Sequence, residues 1–286
     1  MNLYHYSKKG SCFMDIKDKL SLMYENPVNA WHEHVWLNSN EDPTLNVPSL
    51  DRYMEVADKM GFDKVVMSLP IITPKRCSVE LFQAANAAVY EAMKRYPGKI
   101  YGMAYVHAGH IREALKEIDH CVQDLGMIGL KLYFDYFMDD PIQAPIIEKC
   151  IDLDIPMMMH AMRAMDPGNH KSQPLCTNGV HMANAAKRYP EATFQMGHFT
   201  ITDWEFQLKA IAPYKNIYTD MSGSAYDCPQ MERAVEMLGA DRILFATDNS
   251  IVSCVGKILG ANISEADKKT ILEGTAFNRF LEKAGR

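Results

Sequence analysis

From residue 28 onward, short runs rich in β-branched, aromatic and methionine residues alternate with helix-length amphipathic segments, and Gly, Pro or Asn separates them. The runs predict strands over 28–37, 64–69, 100–106, 128–133, 155–160, 193–198, 217–220 and 243–247. Helical periodicity predicts helices over 49–60, 79–96, 111–125, 142–153, 180–189, 230–238 and 264–284. Ser264 opens the last of these with an acid three residues on, while Gly61, Gly126 and Gly239 each end a helix just before a strand. Eight strand–helix cycles are the number that closes a parallel sheet, so the expected fold is α/β, a (β/α)8 TIM barrel. No linker or low-complexity tract divides residues 28–286, which are expected to form one catalytic domain. Residues 1–27 stand outside the alternation as an N-terminal extension, helical around 17–23, packed on the barrel or on a partner chain.

Composition removes several classes of function. The chain has 286 residues, 48% hydrophobic and 23% charged, which supports a large core and excludes a disordered or fibrous protein. A net charge of −6 offers nothing to nucleic acid or to an anionic membrane, so neither is an expected partner. Cys12, Cys77, Cys121, Cys150, Cys176, Cys228 and Cys254 are scattered singly and odd in number, which is no disulfide framework. The first ten residues lack the apolar stretch of a secretory signal and no run is long enough for a membrane span, so a cytoplasmic location is expected.

In such a barrel, chemistry belongs at the C-terminal ends of the strands. His32, His34, His107, His160, His198 and Asp248 all fall within or just after predicted strands, far apart in sequence. Residues two apart on a strand face one side, so His32 and His34 can both face the interior while Glu33 faces the helices. Read alone, a His-x-His pair is more often two core or surface histidines, and a single His ending an apolar strand is as often a hydrogen-bonded core residue. Asp248 closes the apolar run Leu244-Phe-Ala-Thr, where an unpaired carboxylate would be costly and calls for a cation or several donors. Taken together, imidazoles and one carboxylate around a cavity suit a divalent ion with a position left for water. Zinc is the first expectation, manganese the alternative, and one ion is favoured over two.

The ordered series His32-x-His34, His160, Pro190 to His198, Asn216-Ile-Tyr-Thr-Asp-Met-Ser222 and Phe245-Ala-Thr-Asp248 resembles the amidohydrolase superfamily, in its amidohydrolase-related (amidohydrolase 2) branch. The resemblance extends over roughly 28–286 and includes the terminal stretch Gly274-Thr-Ala-Phe-Asn278. It implies that His32, His34, His160 and Asp248 are metal ligands, and that His198 is either a ligand or a donor to substrate. Ala30 departs from the branch, where many members carry an acid two residues before the first ligand. Lys131, in Gly129-Leu-Lys-Leu, stands where binuclear members place a carboxylated lysine; a structural or substrate-contacting amine is the preferred expectation. Asp248 and His198 are the expected catalytic groups, Asp248 accepting a proton from a metal-bound water and passing it to the leaving group.

Candidate substrate contacts are Arg163, His107, Tyr133 and Lys131. Arg163 opens the long connection 161–177, whose length suits a binding loop, and could grip a carboxylate with two N–H groups. His110, Asp135 and Tyr136 are further candidates for the pocket wall, while His170 and His181 read as loop and helix-surface residues. The 20 methionines reflect strand burial rather than copper binding. Neither a nucleophile elbow nor a phosphate-binding glycine loop occurs.

These features predict a metal-dependent hydrolase of a small lactone, amide or ester. A metal-dependent non-oxidative decarboxylase of a small carboxylated substrate is the alternative, favoured by a cation in the pocket. A catalytically silent binding or assembly barrel is the third reading. A homo-oligomer remains open, since no feature marks an interface.

Overall fold

The computed structural model describes residues 16–39, 42–71, 77–162, 173–200, 203–223 and 229–283. Eight strands, β1 (Asn29–His34), β2 (Lys64–Ser68), β3 (Ile100–Tyr105), β4 (Gly129–Leu132), β5 (Met157–Met159), β6 (Phe194–Met196), β7 (Ile217–Asp220) and β8 (Ile243–Leu244), pair in sequence order. Every pairing is parallel. Two backbone bonds join the last strand's continuation to the first: Trp31 N donates to Phe245 O and Asp248 N to His32 O, each at 2.9 Å. The sheet is thus closed, and the fold is the (β/α)8 TIM barrel that the alternation predicts.

The helices are α1 (Ile16–Glu25), α2 (Val47–Lys59), α3 (Val79–Arg95), α4 (Ile111–Asp119), α5 (Ala144–Asp152), α6 (Gly179–Arg188), α7 (Trp204–Ile211), α8 (Gln230–Leu238), α9 (Ile251–Gly260), α10 (Glu265–Glu273) and α11 (Asn278–Lys283). Side-chain caps start several of them: Asn46 Oδ1 accepts from Ser49 N at 3.0 Å and Ser264 Oγ accepts from Asp267 N at 3.0 Å. The sequence pattern left out α7 and α9. In α9 the run Ile251-Val-Ser-Cys-Val-Gly-Lys-Ile-Leu is apolar enough to blur its helical period, because the exposed side opposite buried Ile251, Cys254, Val255 and Ile258 carries Val252 and Gly256. The predicted helix over 264–284 is two helices, broken at Gly274 with φ +60°. A Cβ at Gly274 would run into the Trp31 indole, so the break and the close approach need the same glycine. From the N-terminal extension, α1 buries Met23 against the barrel, and Tyr24 Oη donates to Lys59 O at 2.6 Å.

The barrel interior is filled at its lower end by Trp31, Val66, Met103, Met158 and Leu244 from five strands, sealed by Phe277 and Phe280. Trp31 and Phe277 meet edge to face with centroids 5.1 Å apart. Truncating either of these fully buried rings would cost about 3–5 kcal/mol. With the floor plugged by hydrocarbon, polar side chains facing inward have space only at the upper end. No described helix is long and apolar enough to cross a membrane.

Candidate metal centre

The site begins with an irregularity in β1. Its pairing with β2 runs Ala30 to Val65 and then Glu33 to Met67, so β1 carries one extra residue between them. This bulge lets Trp31 fill the floor while His32, the next residue, also turns inward. Beyond the bulge the two-residue period resumes: His34 faces the cavity with His32, and Glu33 faces outward, where the alternation placed it.

His32 is fully buried, and both ring nitrogens have partners. Nδ1 donates to Asp220 Oδ2 at 3.0 Å, and Nε2 accepts from Lys131 Nζ at 2.7 Å. Burial, then the Lys131 charge, lowers the imidazole to about 3, so it is a neutral ring beside an ionised carboxylate. Asp220 lies in the motif Asn216 to Ser222, which by itself assigns it no role. Its Oδ1 accepts from Ser222 Oγ at 2.5 Å, Ser222 N at 3.1 Å and His198 N at 3.2 Å, and Gln195 Nε2 donates to Oδ2 at 2.9 Å. Burial alone would raise this carboxyl, but His32 and the other donors hold it far below the ordinary range. The signal was present in the sequence: an acid closing an apolar strand, the pattern that singled out Asp248.

His198 Nδ1 donates to Ser222 Oγ at 2.8 Å, since that hydroxyl spends its own proton on Asp220. Its Nε2 lone pair therefore faces His160 Nδ1 at 3.1 Å. His34 Nδ1 lies 3.3 Å from the Ser68 carbonyl, and its Nε2 lies 3.1 Å from Asp248 Oδ1. Asp248 Oδ2 is 3.9 Å from His198. Burial opposes ionisation of Asp248, yet His34, His198 and His32 together depress its carboxyl well below the ordinary range. Burial likewise lowers His160 and His198. His198, Asp248 and Asn249 hold left-handed φ of +64°, +47° and +61°, a backbone strain concentrated where side chains must be aimed inward.

Among the described residues, two groups of three can converge on one ion: His32, His34 and Asp248, and His32, His198 and Asp220. The donor chemistry fits a divalent ion. Ser68 offers His34 Nδ1 a hydroxyl at 3.2 Å and a carbonyl at 3.3 Å, so the ring can hold either tautomer: Nε2–H donates to Asp248 Oδ1, or, with the proton on Nδ1, the Nε2 lone pair joins that oxygen in facing a cation. Asp220 already has its oxygens engaged by five donors, which suits it to orienting His32 and His198 rather than to binding metal.

Above these groups lies a cavity of about 1120 Å³. Its floor is His34, His160, His198 and Asp248; its walls include Trp36, Leu69, Ile71, Leu81 and Tyr133. Tyr133 covers the His160 ring with centroids 4.5 Å apart. Lys131, expected as a substrate contact, is fully buried against His32, and burial lowers its amine to about 8. His107, also an expected substrate contact, sits on the β3–β4 rim, with Nε2 3.8 Å from Asp135 Oδ1 and its ring packed on Tyr136 and His110. His110 Nε2 meets the Cys77 carbonyl at 3.0 Å, and His181 stacks on Phe137. Arg163 and His170 lie outside the described residues.

A family described as Amidohydrolase matches residues 30–276. The chain belongs to the amidohydrolase family. Among its relatives is a gamma-resorcylate decarboxylase from Polaromonas sp. strain JS666, 24% identical in an alignment 287 positions long that covers 80% of this chain and 86% of the relative. The fold is similar to a solved 2,6-dihydroxybenzoate decarboxylase complexed with 2,6-dihydroxybenzoate, with a TM-score of 0.70 and 19% identity over 90% of this chain and 98% of that one. It is also similar to a Polaromonas sp. JS666 dihydroxybenzoic acid decarboxylase with bound manganese and 2-nitroresorcinol, with a TM-score of 0.69 and 20% identity over 91% of this chain and 98% of that one.

Proposed function

We propose that this amidohydrolase is a divalent-metal-dependent, non-oxidative decarboxylase of a small hydroxylated aromatic acid, the alternative that the sequence set beside hydrolysis. The observation that carries the reading is the near full-length similarity to gamma-resorcylate decarboxylase, on a cavity with aromatic and apolar walls over an imidazole–carboxylate floor. His32, His34, His160 and Asp248 would hold the ion, with manganese the first to test because a related decarboxylase carries it. When bound, the ion supplies positive charge that offsets a substrate carboxylate and a neighbouring phenol oxygen. The zinc-hydrolase expectation is the weaker one, since the relatives described above are decarboxylases and one of them carries manganese.

The chain's own groups account for the rest. Decarboxylation breaks the bond between ring and carboxyl carbon, leaves its electron pair on the ring, and needs one proton at that ring carbon. Asp248 is the carboxylate on the floor of the cavity and is ionised at rest. We assign it to take up the one proton that the reaction consumes from water in the cavity and to pass it to that ring carbon, returning to carboxylate. His198, locked by Ser222 in the Nδ1–H form, lines the same floor, with Nδ1 3.9 Å from Asp248 Oδ2. Trp36, Leu69, Ile71 and Tyr133 flank the ring and exclude water that would compete for the floor. The Cys77, Cys121, Cys150, Cys176 and Cys254 thiols are free and buried, in keeping with work in a reducing cytoplasm.

The test is a panel of ortho-hydroxybenzoates, 2,6-dihydroxybenzoate included, together with simple lactones and esters, assayed with added Mn²⁺ and with chelator. We expect carbon dioxide and the matching phenol, lost with chelator. Ester or lactone cleavage without carbon dioxide from any benzoate would return the hydrolase reading.

A further inference from the structure

β8 is the shortest strand of the barrel, two residues long, yet the loop that follows it carries Asp248. Beyond β8 the ladder ties that loop to β1 through Asp248 N and His32 O, which fixes one backbone group and leaves the residues on either side to other contacts. Glu33, fully buried on the outer side of β1, reaches across the seam to it. Its Oε1 accepts from Thr247 N at 2.6 Å, and its Oε2 accepts from Thr247 Oγ1 at 2.6 Å and from Asn249 N at 2.8 Å. The bonded residues flank Asp248 on both sides. Asn249 returns the contact: its Oδ1 accepts from His34 N and its Nδ2 donates to His34 O, both at 3.1 Å. The side chain of Asn249 thus takes the place of a strand partner for β1, beyond the point where β8 ends.

We infer that Glu33 and Asn249 form a reciprocal clasp across the β1–β8 seam that positions His34 and Asp248 for metal binding. Each half holds the backbone of the other's neighbour, and the pair brought together between them is His34 Nε2 and Asp248 Oδ1, at 3.1 Å. The clasp also accounts for the left-handed backbone at Asp248 and Asn249, since three acceptor contacts from one carboxylate hold a conformation that the loop would not keep alone. Glu33 and Asn249 are positioning residues; neither is assigned a contact with substrate. The inference rests on the reading that His34 and Asp248 hold a divalent ion.

The experiment is Mn²⁺ titration followed by electron paramagnetic resonance, on wild type, Glu33→Gln, Asn249→Gly and Asn86→Ala, with thermal melts of all four. Glu33→Gln keeps the shape but turns an amide N–H₂ toward donors. Asn249→Gly keeps the left-handed φ but removes the bridge to His34. Asn86, whose Oδ1 accepts from Tyr105 N at 2.7 Å and whose Nδ2 donates to Tyr105 O at 3.0 Å, is a comparable bridge away from the site and serves as the stability control. We expect Mn²⁺ affinity to fall about tenfold in Glu33→Gln and Asn249→Gly with an altered line shape, and Asn86→Ala to melt earlier while binding Mn²⁺ as wild type does. Affinities within twofold of wild type and an unchanged line shape in Asn249→Gly would overturn the clasp alone, and this variant decides even where Glu33→Gln does not fold. Failure of wild type to bind Mn²⁺ would overturn the metal reading and the clasp with it.

Discussion

At the upper end of the barrel two carboxylates sit beside imidazoles and tyrosines, and the protein treats them in opposite ways. Asp248, on the β8 side, has His34 at 3.1 Å and His198 at 3.9 Å, and its carboxyl is driven down despite burial. Asp135, on the β4 side, has a single short hydrogen bond, from Tyr105 Oη at 2.8 Å, with His107 at 3.8 Å. There burial wins and pushes the carboxyl up to about 6. The two residues share chemistry and level in the barrel; what separates them is the number of polar groups aimed at each. Clustered imidazoles, and not the acid itself, distinguish a candidate metal site from a buried packing contact.

The comparison can be broken at its strongest point first. Asp248→Asn keeps size but removes both charge and proton carrier, and turnover in the carbon dioxide assay is expected to fall by about 10³-fold or more, with Mn²⁺ affinity falling less. An equal loss from a substitution at Asp135 would erase the distinction. Next, Asp135→Asn should show where burial governs. An acid whose folded pKa lies above its unfolded value binds more protons when folded, so its presence costs stability progressively as pH rises from about 3.8 to about 6. Asp135→Asn, which can still accept from Tyr105, is therefore expected to melt later than wild type above pH 6 by an amount on the order of 2 kcal/mol, and to lose that advantage near pH 4. The smallest effect is expected from His107→Ala, with kcat and KM each within about threefold of wild type, since its ring packs on His110 and Tyr136 away from the cavity floor. A loss of 100-fold would restore His107 to the substrate contacts that the sequence suggested.

The sequence displays what depends on neighbouring residues and hides what depends on distant ones. Strands such as Ile217–Asp220 stand out because their apolar run and their flanking Asn and Met lie within a few positions. His32, His34, His198 and Asp248 could be singled out because each sits at a strand end, a local property. Asp220 acquires its role from a partner 188 positions away, and Glu33 from one 214 away, so neither role is written in its own surroundings. The bulge in β1 is hidden for the same reason: whether Trp31 and His32 both turn inward is settled by Phe277 below and Asp220 above. α9 is hidden for a different cause, since its exposed side carries Val252 and Gly256 and so lacks the polar stripe that reveals a surface helix.

The aromatic plug at the lower end has a bearing on how the molecule comes into being. Asn29 Nδ2 donates to Glu273 O, 244 positions on, and Trp31 rests on Phe277 just beyond. A nascent chain emerging from the ribosome can assemble strands and helices in order, but its first strand has no floor until the last helices arrive. Closure therefore waits for Glu273 and Phe277, and until these are made an open-sided sheet with a bare indole is what proteases and chaperones meet.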